Sequence, residues 1–95
     1  MAAYLIVQIN VQDPDIYEEY KKQVVPTTLE YGGEYLVRGG PQEVLEGEWE
    51  WPRTVVIRFP SMEKATAWHS SGAYEGPKAL RQSASACNMI VVEGA

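Results

Sequence analysis

The chain carries one cysteine, one histidine and one phenylalanine in 95 residues. A lone cysteine, Cys87, closes no internal disulfide, so a reducing cytoplasm is the expected compartment. A lone histidine, His69, with no ligand-spaced partner argues against a zinc site. Basic residues are scarce as well: eight Lys and Arg stand against thirteen Asp and Glu, a net charge of −5. Nucleic acids and anionic membranes need a basic patch, so neither is an expected partner. No apolar run approaches the roughly 20 residues of a membrane span. The opening "MAAYLIVQINVQD" has no basic segment ahead of its apolar stretch, and that stretch alternates. It reads as a strand and not as a targeting peptide.

What is present is a globular balance, 45% hydrophobic and 22% charged, which fits a single domain over residues 1–95. "YLIVQINV", Tyr4 to Val11, is rich in β-branched residues and predicts a first strand. Asp13-Pro14 supplies an N-cap and a proline at the first helical position. Ile16, Tyr17, Tyr20, Val24, Thr27, Thr28 and Tyr31 follow at helical spacing until Gly32-Gly33 closes the helix, and Pro26 inside it predicts a kink or local break. A second strand is expected over Glu34–Gly40, resuming at "EVLEG" after a bulge at Gly39-Gly40. "RTVVIRF", Arg53–Phe59, predicts a third strand antiparallel to it. Ser61 caps a helix through "MEKATAWHSS", Gly72 and Gly76 interrupt, and Pro77 restarts a helix ahead of a last strand, "NMIVVEG". The order β-α-β-β-α-β is that of an α+β, ferredoxin-like fold with a four-stranded antiparallel sheet.

Alternation puts Leu5, Val7, Ile9 and Val11 on one face of the first strand, and Val55, Ile57 and Phe59 on one face of the third. That face should receive the helices. The other face would expose Ile6, Leu36, Val56, Met89 and Val91, more apolar surface than a monomer usually leaves bare. A homodimer packed sheet to sheet is therefore expected, with Gln8, Asn10, Arg38 and Arg58 along polar parts of the seam. Trp49 and Trp51, between glutamates on the connection before the third strand, are expected to pack on the partner.

Each chemistry-bearing residue has two readings. His69 titrates near neutrality and is the weak candidate for a general base, but Trp68 and Ser70 beside it make no triad; a surface or pocket-rim role fits it better. Arg38 either forms a structural ion pair, with Glu34 or Glu93 of either subunit, or clamps a ligand carboxylate. Arg81 has the same alternatives. Tyr17, Tyr20, Trp68 and Tyr74 either fill the core or line a small-molecule pocket whose hydroxyls orient a polar ligand. Cys87 reads as a small buried hydrophobe. The residues call for no cofactor and leave open whether such a pocket catalyses or only binds.

"DPDIYEEY", "VVPTTLEYGGEYLVRGG", "VLEGEW", "RTVVIRFPSMEKATAW" and "LRQSASACNMIVVEG", in that order, span nearly the whole chain. Together they resemble the domain-of-unknown-function family 1330, small proteins with the dimeric α+β barrel fold. The resemblance implies a dimer and a pocket between helices and sheet, for which Tyr17, Tyr20, Arg38, Trp68, Tyr74 and Arg81 are the matching positions. The wider superfamily includes cofactor-independent monooxygenases, so an enzyme acting on an aromatic or carboxylate-bearing metabolite is one implied function. A non-catalytic structural or interaction dimer is the other. The superfamily also raises heme, for which His69 would be the sole imidazole ligand. Family members tend to read "AWYNSPEY" where this chain has "AWHSSGAY", so a shared chemistry would not need a histidine at position 69.

Overall fold

The computed structural model describes residues 1–95. Strand β1 (Ala3–Val11) is followed by helix α1 (Pro14–Glu30), strands β2 (Glu34–Arg38) and β3 (Arg53–Phe59), helices α2 (Met62–His69) and α3 (Gly72–Ala84), and strand β4 (Ser85–Glu93). The strands make one antiparallel sheet in the order β2-β3-β1-β4. This is the ferredoxin-like α+β arrangement, with one sheet face under the helices. Leu5, Val7, Ile9, Val55 and Ile57 from that face meet Tyr17, Tyr20, Val24, Trp68 and Tyr74 in the core. No helix is long and apolar enough to cross a membrane.

The local signals at the helix starts act as expected. The Asp13 side chain accepts from the Ile16 amide at 3.2 Å, and Ser61 accepts from Lys64 at 3.2 Å. At the end of α1 the backbone turns through Gly32, whose φ is +78°. A Cβ on the next residue, Gly33, would press on Thr28 and Phe59, so glycine lets the helix end lie directly on β3.

Several expectations need correction. α1 continues through Pro26 to Glu30 without a break. Pro26 removes only the amide that would bond the Lys22 carbonyl, and the buried Thr27 and Thr28, whose hydroxyls donate to the Val24 carbonyl at 2.7 and 3.1 Å, hold the following turn to the helix. Gly72 and Gly76 do not interrupt the second helical region. Ser71 accepts from the Tyr74 amide at 3.2 Å and starts α3 at Gly72, so Pro77 falls early in a continuous helix. β2 ends at Arg38 and does not resume at "EVLEG"; its irregularity lies between Tyr35 and Val37. Finally, Met89 and Val91 pair with Val7 and Leu5 and so face the helices, while Ile90 and Val92 are the exposed hydrophobic residues of β4.

The bulge in β2 has the largest effect on the site. Simple alternation would place Glu34, Leu36 and Arg38 on the outer face together. Tyr35 instead pairs with Ile57 and Arg38 with Val55, so the extra residue turns Arg38 to the helix side. Arg38 is thus not part of the outer seam. Glu34 pairs loosely with Arg58 at 3.9 Å, not with Arg38.

Candidate ligand-binding site

Between α1 and the sheet lies a narrow cavity of about 30 Å³, room for one or two waters. Its walls are apolar, built from Leu5, Val7, Ile9, Val55 and Ile57 on the strands and Val24 on α1. Tyr17, Tyr20, Lys21 and Val24 are placed there by helical spacing, since residues three and four apart share a face. No Asp, Glu or His lines it; its charged residues are Lys21, Arg38, Arg53 and Arg81.

Three of those cations form the mouth. Lys21, Arg38 and Arg53, with Lys22 and Glu18, line an outer bowl of about 450 Å³ that contains no hydrophobic residue. Glu18 pairs with Lys21 at 2.7 Å and neutralises it. Arg38 and Arg53 have no carboxylate within 4.0 Å. They rest on aromatic rings instead: Arg38 lies 4.9 Å from the Tyr35 centroid and Arg53 lies 5.6 Å from that of Tyr17. The Nε of Arg53 is buried and has no acceptor. Gly39 permits this packing, because at φ +76° a Cβ there would collide with the Arg53 guanidinium.

The inner end is polar again. Arg81 is 5% exposed and Tyr74 fully buried. Arg81 Nε donates to the Tyr74 hydroxyl at 3.2 Å, and Nη1 donates to Cys87 Sγ at 2.7 Å. The Tyr74 and Tyr20 hydroxyls lie 3.2 Å apart. Burial raises the Tyr20 phenol far above its ordinary range, with Tyr74 adding to the effect, so Tyr20 stays protonated. Burial works against the Arg81 charge, yet Tyr74 and Cys87 more than offset it and hold the guanidinium charged. Trp68 stacks on Tyr74 at 4.1 Å and donates from Nε1 to Thr27 at 3.1 Å, fixing the back wall.

The structure brings Tyr17, Tyr20, Arg38, Trp68 and Arg81 to one cavity, with Tyr74 directly behind them. His69 is elsewhere, on a shallow cleft between α2 and β4 beside Ala65, Met89 and Ile90. Burial, then the nearby Lys78 and Arg81 charges, lower its pKa. Arg53, Lys21 and Tyr35 also line the cavity and were not among the candidate ligand-binding residues. Two of them carried a signal: Arg53 is in phase with Val55 and Ile57 on β3, and Lys21 is one turn beyond Tyr17 on α1. No group of three or more His, Cys, Asp or Glu side chains is placed to hold a metal ion.

A family model described as "Domain of unknown function (DUF1330)" matches residues 2–95. No curated protein sequence matches the chain. Among solved structures, a protein of unknown function from Rhodopseudomonas palustris is similar at TM-score 0.80 and 17% identity, over 99% of this chain and 82% of that one. A dimeric ferredoxin-like protein of unknown function from Jannaschia sp. CCS1 is similar at TM-score 0.76 and 15% identity, over 99% and 100% of the two chains. SnoaB, a cofactor-independent oxygenase from Streptomyces nogalater, is similar at TM-score 0.58 and 8% identity, over 99% and 93%. At these identities the likeness is one of fold.

Proposed function

From a chain that belongs to the DUF1330 family, we propose a protein that binds a small carboxylate-bearing molecule at the mouth of the cavity under α1. The observation that carries this reading is the pair Arg38 and Arg53, which converge on one opening without a protein carboxylate for either. A guanidinium gains most from a bidentate partner such as a carboxylate. Their support on Tyr35 and Tyr17 preorganises them for it. The ligand's apolar part then lies against Tyr17 and Tyr35 at the mouth, with only a narrow end reaching inward.

The fold likeness to a cofactor-independent oxygenase makes turnover a question of proton transfer. The cavity lining has no Asp, Glu or His, and Tyr20 stays protonated, so no side chain there is suited to accept a proton near neutrality. The residues suit stabilisation of negative charge on a bound molecule, and binding is the function we assign. The small inner volume favours one further reading, a non-catalytic dimer in which the cluster only orders the core.

We also propose that residues 1–95 act as one unit and pair sheet to sheet with a second copy. Ile90, Val92 and Val37 stand exposed on the outer face, beside Ile6 and Val56, and Trp49 lines a hollow there with Ile6 and Ile90. This is more apolar surface than a lone domain keeps in water. The Jannaschia protein, of like fold, is dimeric. Nothing in the chain points to nucleic acid or membrane as partner, and the cytoplasm is the compartment we assign.

Native mass spectrometry of protein purified from cells tests both parts. The expected spectrum is a dimer carrying a small anionic adduct that is depleted in the Arg38→Gln, Arg53→Gln double variant. A bare monomer overturns the seam, and an adduct retained by the double variant overturns the mouth.

A further inference from the structure

We propose that the inner end of the cavity is a second recognition point, reading an oxygen acceptor at the far end of the ligand. The ligand is then a keto- or hydroxy-carboxylate and not a plain carboxylate. This rests on the reading of the mouth given above, and it adds an independent observation, a surplus of donors over protein acceptors.

The surplus follows from counting protons. Arg81 Nε–H already donates to Tyr74 Oη. Tyr20 and Tyr74 have one O–H each and share one contact, so only one of the two protons is used between them. Neither hydroxyl has any other protein acceptor, and one phenolic proton is therefore left over. Tyr20 is the one that lines the cavity, so with a ligand acceptor in place the chain can run from Arg81 through Tyr74 to Tyr20 and offer the spare proton to it. Arg81 adds another: its Nη2 makes no protein hydrogen bond and, unlike most of the side chain, is not fully enclosed, so it can meet a ligand.

A buried cation without a carboxylate is costly, and an acceptor that reaches the spare donors would lower that cost. No lining residue supplies a carboxylate oxygen. A ligand carbonyl or hydroxyl oxygen, with two lone pairs, matches two surplus donors. The space agrees with this division of labour, since about 30 Å³ inside admits an oxygen-bearing terminus while the outer bowl of about 450 Å³ takes the carboxylate end. Linked donors also polarise one another, which strengthens the bond that Tyr20 gives.

Matched pairs of probes separate the two ends. Titration calorimetry of the full chain compares pentanoate with 4-oxopentanoate, and benzoate with 4-hydroxybenzoate. We expect the oxygen-bearing member of at least one pair to bind about tenfold more tightly, the size of one hydrogen bond to a charged group. That preference should disappear in Arg81→Met and shrink in Tyr20→Phe, which keeps the ring. Arg38→Gln should weaken both members of a pair alike and leave the preference intact. Equal binding within both pairs overturns the inner recognition point while the mouth stands. A preference that survives Arg81→Met overturns it as well. Absence of binding by all four probes overturns both readings together.

Discussion

Replacing Arg81 by methionine separates a residue kept for ligand from one kept for the fold. In the free protein Arg81 is 5% exposed, has no carboxylate partner, and makes two hydrogen bonds, to Tyr74 and to Cys87 sulfur. Losing them costs about 3 kcal/mol in total, because one is 3.2 Å long and the other ends on a weak acceptor. Against that stands the desolvation of an unpaired guanidinium, several kcal/mol that the folded state no longer carries. Methionine fills much of the same volume and adapts to irregular space. Because Tyr74 and Cys87 offset the burial of the charge, the balance lies within about 1 kcal/mol of zero, which for a domain of this size moves Tm by no more than about 8 °C. Urea denaturation with an unchanged m value is the assay. A loss of more than about 2 kcal/mol would show that Arg81 is a structural element, and the surplus of donors would then be an accident of packing.

Gly39→Ala should weaken carboxylate binding, because its Cβ displaces the Arg53 guanidinium, whereas Gly47→Ala, also at positive φ but in open space, should cost only about 1 kcal/mol and leave binding unchanged; titrations of both variants check this. His69 has its pKa lowered by burial first and then by Lys78 and Arg81. Its folded state therefore disfavours the proton, so stability should fall as pH drops from about 6.5 toward the lowered value, and His69→Gln should flatten that slope in urea midpoints measured from pH 5 to 7. Ile90→Glu places a charge on the exposed face of β4 and should convert a dimer to a folded monomer in sedimentation; an unchanged dimer would move the seam elsewhere.

The order of elements was legible because each start carries its own chemistry: Asp13-Pro14 and Ser61 cap helices, and alternation marks β1 and β3. β4 was harder. "MIVV" is apolar at every position, so alternation cannot say which side faces inward, and only pairing with β1 places Met89 and Val91 under the helices. The pocket aromatics were legible from helical spacing, whereas the side of the sheet that Arg38 takes was not. It depends on one extra residue near Leu36, and no glycine marks that bulge. Nor does local sequence show that α3 begins at Gly72, because a capping serine there outweighs a proline five residues on. Arg53 could have been found by extending the Val55–Ile57–Phe59 face two residues back.

Side-chain NMR of a benzoate titration reads the mouth most directly. The Arg53 Nε–H, buried and without an acceptor, should shift in a saturable way together with the Tyr17 and Tyr35 rings, and the response should vanish in the Arg38→Gln, Arg53→Gln double variant. Saturable shifts confined to another surface, or undiminished binding by the double variant, would contradict a carboxylate site between α1 and the sheet.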